Sequence, residues 1–146
     1  MIADAVARFQ GEGGQPGTLA EVSPTIGAAM VVVLNAAQTE SVLFGDDALV
    51  PKMAKGAVVI ACATVPPEFA REMAARCDAH GVLYLDAPIS GGSLRAADGD
   101  LTIMAAGSDA AFAAAGPVLE ATASNVYKMG PEIGAGSAMK AVHRVL

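Results

Sequence analysis

The chain has 146 residues, 53% of them hydrophobic and 16% charged, with a formal net charge of −6. That length and apolar content suit one domain with one core, while an acidic chain without a basic cluster argues against a nucleic-acid partner, whose phosphates require a positive face. The longest apolar stretch, Ile26 to Leu34, is far shorter than the roughly 20 residues a membrane-crossing helix needs, and no basic start precedes it; no membrane segment is expected, and a cytoplasmic location is.

Met1 to Phe9 reads as helical, and Gly11-Glu12-Gly13-Gly14-Gln15-Pro16-Gly17 as its stop and a loop. The cluster is glycine-rich, but it follows a helical pattern, and Pro16 stands where a phosphate-binding turn would lead into a helix. Thr18-Leu19-Ala20-Glu21 has capping-box spacing and predicts a short helix that Pro24 disturbs. The β-branched run within 29–34 predicts a buried parallel strand. A short helix over Thr39–Phe44 stops at Gly45, and a second strand follows at 57–62. Thr64 and Pro66-Pro67 open the clearest helix, running to about His80 with Gly81 as its stop. Strands are expected at 82–86, 101–106 and 125–128, and Ser108-Asp109 caps an alanine-rich helix that should end near Gly116-Pro117. This alternation predicts an α/β fold, a parallel sheet with crossover helices.

Cysteine and histidine carry no chemistry here. Cys77 shares a helical face with Phe69 and Met73, and Cys62 ends an apolar run, so both are expected to be buried thiols. No Cys-x-x-Cys or comparable pairing joins them to His80 or His143, and no metal site is expected.

Ligands of open parallel sheets bind beyond the carboxyl ends of the strands, which directs attention to Leu34-Asn35, Ala63-Thr64 and Ser90-Gly91-Gly92. Thr64 reads equally well as a helix cap and as a ligand contact. Ser90-Gly91-Gly92 reads as a plain turn or as a cradle whose backbone N–H groups face a small anion. Near the end of the chain, Gly134-Ala135-Gly136-Ser137-Ala138-Met139-Lys140 frees the backbone ahead of a helix and places one ammonium inside it. A lone helical lysine is in most cases a solvated charge; here two glycines set it apart.

Taken together, Asp86-Ala87-Pro88-Ile89-Ser90-Gly91-Gly92, the continuation Gly99-Asp100-Leu101-Thr102-Ile103-Met104, and Gly134-x-Gly136-x-x-x-Lys140 resemble the β-hydroxyacid dehydrogenase family, which includes 3-hydroxyisobutyrate, 6-phosphogluconate and L-threonate dehydrogenases. The order and separation of the motifs match those of the family. Asn35 to Glu40 and the Lys-Ala-Val-His ending are most similar to the L-threonate branch. The resemblance implies a Rossmann-like domain and an oxidoreductase that moves hydride between NAD, with NADP not excluded, and a small hydroxy or sugar acid. It assigns Lys140 the catalytic proton transfer, Ser90, Gly91 and Gly92 the substrate carboxylate, and Leu34, Asn35 and Thr64 the cofactor. It also implies a homo-oligomeric parent.

Three departures bear on that expectation. The family opens with a strand and a Gly-x-Gly-x-x-Gly turn that receives the pyrophosphate, and no such fingerprint occurs in this sequence. The expected division is therefore a truncated NAD-binding domain over 1–130, lacking the first strand-turn-helix, and a catalytic-lysine segment over 131–146 that starts an interdomain helix, without the helical domain that follows in the family. The family's usual Leu-Pro is Leu34-Asn35 here. Where many members have asparagines after the lysine, this chain has His143 and Arg144, and the latter could pair with a second anionic group or snorkel outward. Truncation would leave apolar edges at Ile2, Val6, Phe9, Met139, Val142 and Leu146. Two readings stay open: a dehydrogenase of which this is a piece, probed by the retained Lys140, and a non-catalytic acid-binding or protein-interaction module, favoured by the missing pyrophosphate turn.

Overall fold

The computed structural model describes residues 2–145. Six strands and seven helices alternate among them: α1 (Ile2–Gly11), α2 (Leu19–Val22), β1 (Ala28–Val31), α3 (Ala36–Phe44), β2 (Val58–Ala61), α4 (Pro67–Ala79), β3 (Leu83–Asp86), β4 (Ile89–Ser90), α5 (Gly92–Ala97), β5 (Leu101–Ala105), α6 (Asp109–Thr122), β6 (Ala123–Lys128) and α7 (Ala135–Val145). A single 3-10 turn covers Val50–Lys52. The expected apolar edge at Leu146 lies outside the described residues.

The centre of the sheet is β2, whose Val58-Val59-Ile60-Ala61 is buried throughout. A strand covered on both faces reads as a continuous apolar run, as parallel sheets require. Its side chains alternate between two cores. Val59 and Ala61 meet Leu43 of α3, Met73 and Cys77 of α4, and Val82 and Tyr84. Val58 and Ile60 meet Leu85, Ile103 and the Ala111, Ala115 and Leu119 face of α6. Burying Ile60 completely contributes about 1.5–3 kcal/mol relative to leaving it in water.

β1, β2 and β3 pair in parallel in that order, and β5 pairs in parallel with β6. The two groups meet at an antiparallel bridge between Asp86 and Ala106, closed by the hydrogen bonds Asp86 N–H to Ala106 O at 3.0 Å and Ala106 N–H to Asp86 O at 2.8 Å. The short β4, which the sequence pattern did not suggest, pairs antiparallel with β5. β3 thus runs straight into a turn, and Ser90 follows within four residues of Asp86 on a second strand.

Local chemistry explains most boundaries. Thr18 and Glu21 form the expected reciprocal capping box on α2, with Thr18 N–H donating to Glu21 Oε2 at 2.9 Å and Glu21 N–H to Thr18 Oγ1 at 3.3 Å. Ser108 caps α6 through Ala111 N–H at 3.1 Å. The loop expected from Gly11 to Gly17 is present, following α1 and not a strand.

Several expectations are corrected. β1 ends at Val31 and not at Leu34, because Val32 and Leu34 have left the sheet and are 62% and 85% exposed. α3 begins at Ala36, earlier than Thr39, because Asn35 Oδ1 accepts from Gln38 N–H at 2.9 Å while Gln38 Oε1 accepts from Leu34 N–H at 2.8 Å. α6 does not end at Gly116-Pro117 but runs to Thr122. Proline removes one intrahelical donor, and burial of Leu119 against the sheet holds the turn beyond it. α5 was not anticipated; it opens directly on the glycine pair that read as a turn.

Candidate active site

The site lies where β3, β4 and the start of α7 converge. Gly91 has φ +132 and Gly92 φ +70, values that L side chains rarely adopt, and together they turn the chain from β4 into α5. A Cβ at Gly91 would also lie 2.9 Å from Arg95 Cβ and 3.4 Å from Leu101 Cδ2. The first N–H groups of α5 have no carbonyl of their own helix to bind.

Opposite them, α7 is brought against the sheet by its two glycines, each for a different reason. Gly134 has φ +102, and its N–H donates to Asp86 Oδ2 at 3.1 Å. Gly136 packs so closely that a Cβ would lie 2.6 Å from Asp86 O and closer still to Met104 O, both main-chain atoms. Lys140 follows in the second turn of the helix, half-buried, and its Nζ donates to Ser90 Oγ. Val32, Ile89, Ser90, Gly91, Gly92 and Lys140 are among the residues lining a groove of about 490 Å³.

The expected substrate set and the expected catalytic lysine therefore share one groove. The expected cofactor residues do not line it. Asn35 is spent as the cap of α3, and Leu34 stands free at the carboxyl end of β1. Thr64 is not a helix cap: α4 is preceded by Pro66, with no side-chain capping bond. Its hydroxyl, partly exposed at the carboxyl end of β2, is left for another partner. Its neighbour Val65 reaches α7 directly, donating its N–H to Ser137 Oγ at 3.4 Å.

Two residues that the sequence reading left without a role hold the site together. Asp86, 1% exposed, accepts from Ser137 N–H at 2.9 Å and Ser137 Oγ at 2.6 Å in addition to Gly134 N–H. Burial raises its carboxyl above the usual aspartate range, and the hydrogen bonds from Ser137, Gly134 and Gly136 pull it back part of the way. An aspartate closing the apolar run Val82 to Leu85 was the available signal, since a charge at a strand's buried end requires compensating donors. Cys62 and Cys77 are buried as expected, their thiols pushed up to about 12 by desolvation. Among the described residues no group of three or more metal-ligating side chains gathers, and no helix is long and apolar enough to cross a membrane.

The family described as the NAD binding domain of 6-phosphogluconate dehydrogenase matches residues 2–130. The chain belongs to that dehydrogenase family. L-Threonate dehydrogenase of Cupriavidus necator is 42% identical over 144 residues, which cover 98% of this chain and 48% of that protein. NAD-dependent L-serine dehydrogenase of Pseudomonas aeruginosa is 38% identical over 122 residues, 82% of this chain and 41% of its own length. The crystal structure of a 3-hydroxyisobutyrate dehydrogenase from Salmonella typhimurium superposes with a TM-score of 0.92 at 40% identity, covering 97% of this chain and 50% of that one. The chain thus spans about half the length of the relatives it matches.

As a member of an NAD-binding family, the domain can be tested against the cofactor's shape. Exposed Leu34 and the uncommitted Thr64 hydroxyl, at adjacent strand ends, suit an amphipathic ring and ribose. Among the described residues no glycine turn joins a strand to a helix N-terminus at the start of the sheet, so the pyrophosphate has no cradle of that kind there. The residues present fit the nicotinamide end of NAD.

Proposed function

We propose that this chain is the cofactor-side and lysine-bearing part of an NAD-dependent dehydrogenase acting on a small hydroxy or sugar acid of the L-threonate or 3-hydroxyisobutyrate kind. The observation that carries the reading is the hydrogen bond from Lys140 Nζ to Ser90 Oγ inside the Ser90–Gly92 groove, supported by the names of the relatives. On this reading residues 1–130 form the cofactor-binding portion and 131–146 the catalytic-lysine segment.

NAD, when bound, supplies the hydride acceptor. The chain's own residues do the rest. Ser90 Oγ and the N–H groups of Gly91 and Gly92 hold the substrate carboxylate, which fixes the hydroxyl-bearing carbon and removes orientational freedom from the reaction. The alcohol's hydroxyl proton must leave as its C–H hydride departs, and Lys140 as the amine takes it; as the ammonium it returns the proton in the reverse direction and stabilises the developing alkoxide. Val32 lines the groove beside Ser90 and Lys140, while Leu34 and Thr64, outside it at the ends of β1 and β2, offer the nicotinamide ring and ribose an apolar face and a hydroxyl. Asn35 contributes there through the turn it caps. NAD is preferred over NADP on the strength of the relatives; the homo-oligomeric state and cytoplasmic location implied by the resemblance belong to the same proposal and are tested by sedimentation and by fractionation.

The test is calorimetric titration of NAD(H) with and without L-threonate, followed by turnover with a Lys140→Ala control. Saturable binding, and turnover that falls by about 10²–10⁴ in the control, is the expected result. A folded sample that binds the acid or a protein partner but not the cofactor, and shows no turnover, supports the competing reading, a non-catalytic acid-binding or protein-interaction module.

A further inference from the structure

We propose that Asp86, acting through Ser137, is the positioning residue for Lys140 and that the same contact couples the loop after β2 to the lysine-bearing helix. The inference rests on the dehydrogenase reading for its catalytic meaning, but its geometry stands apart from it.

Asp86 divides its two oxygens between distinct partners. Oδ1 accepts from Ser137 Oγ at 2.6 Å, and Oδ2 accepts from the N–H groups of Gly134 at 3.1 Å and Ser137 at 2.9 Å. All three donors belong to the first turn of α7 and the residue before it. A carboxylate facing a helix N-terminus is favoured by the unpaired N–H groups and the helix dipole, so this buried charge needs no cationic partner. Ser137 Oγ, itself 1% exposed, accepts in turn from Val65 N–H at 3.4 Å. One hydroxyl therefore ties together the ends of β2 and β3 and the start of α7.

The far half of α7 makes few contacts among the described residues. Ala141 to Arg144 are exposed, and Met139 and Val142 are 45% and 57% exposed. Among the described residues the helix is therefore held at its N-terminal end, by the Asp86 contacts, by the close approach of Gly136 to the β3 and β5 main chain, and by packing of Gly134 against Pro67 of α4. Lys140 lies three residues beyond Ser137, about one turn, so a small tilt at the anchor moves Nζ away from Ser90. An asparagine at 86 would keep one acceptor oxygen and present an NH₂ to Ser137 Oγ, forcing that hydroxyl to turn its proton elsewhere. Cofactor binding against Thr64 would reach Lys140 by the same route, through Val65.

The experiment is competitive acetylation of Asp86→Asn, Ser137→Ala and the double variant, read by mass spectrometry as the labelling of Lys140 relative to exposed Lys55 in the same molecule. Ser137→Ala is the milder change and serves if Asp86→Asn does not fold. The expected ratio rises several-fold in each single variant and no further in the double, because one network is broken once. In active enzyme kcat falls at least ten-fold while NAD binding stays saturable, its affinity shifted only by the coupling that runs through Val65. A loss of thermal stability with an unchanged labelling ratio overturns the proposal, as does an unchanged kcat in the folded, active variants. If the wild type proves to have no dehydrogenase activity, the functional reading fails, and the labelling ratios still decide the anchor.

Discussion

Substituting alanine at Gly136 and at Gly27 makes the same chemical change with opposite expected sign. At Gly136 the new methyl would lie 2.6 Å from Asp86 O, 3.3 Å from Asp86 Oδ2 and in direct overlap with Met104 O. Neither carbonyl belongs to a side chain that can rotate away: Asp86 O accepts from Ala106 N–H at 2.8 Å in the bridge joining the two parts of the sheet. Overpacking of this kind costs about 1–3 kcal/mol, and the rigid neighbours put this case at the upper end. With a urea m-value of about 2 kcal/mol/M, the unfolding midpoint falls by about 1–1.5 M. Gly27 has no atom within 4 Å of a Cβ and no positive φ, so Gly27→Ala gains about 0.4–1 kcal/mol from the reduced entropy of the unfolded chain. Equilibrium urea unfolding measures both. If strain is relieved by α7 lifting away, trypsin cuts faster at Lys140 and Arg144 in native buffer. A Gly136→Ala protein with wild-type midpoint, wild-type m-value and wild-type trypsin sensitivity would refute the close-packing argument.

Tyr84→Phe should be neutral or stabilising by up to about 1 kcal/mol, because the buried Tyr84 hydroxyl has no hydrogen-bond partner among the described residues and its desolvation is uncompensated; a loss above 1 kcal/mol in thermal or urea unfolding would show a partner. Cys62 and Cys77, their thiols pushed up to about 12, should resist a thiol reagent at pH 8 until the fold opens, so labelling rates rise with denaturant in step with unfolding; rapid labelling of the native protein contradicts their burial. Asp86 has a raised pKa in the folded state, which means its contribution to stability is fully present below the ordinary aspartate pKa and is lost as pH rises through the raised value. The stability difference between wild type and Asp86→Asn should accordingly shift against the wild type as pH climbs through that window and level off above it; a difference that moves the other way would show that the donated hydrogen bonds outweigh burial.

Much of the site could be read from residue order because its chemistry depends on backbone freedom, which glycine spacing records. Gly91 and Gly92 turn the chain at positive φ, and Gly134 precedes α7 in the same region. The strands were legible because a buried strand needs a continuous apolar run, and β2 is one. Leu34 and Asn35 show the limit of that reading. The apolar run extends past the point where the sheet ends, and β1 stops at Val31 because its ladder with β2 ends at the Val31–Ala61 pair; Asn35, a polar residue at a strand end, serves the helix after it.

Residue order was enough for the alternation of strands and helices, the helix caps at Thr18 and Ser108, and the two motifs that carry Ser90 and Lys140, since each is a matter of neighbours along the chain. Tertiary structure decided what no local pattern encodes. It carried α6 through Pro117 by burying Leu119, reversed the sheet direction at the Asp86–Ala106 bridge, and set Asp86 against Ser137, 51 positions away. The physical reason is that a buried carboxylate acquires its meaning only from the donors that fold around it, and those donors are brought there by packing.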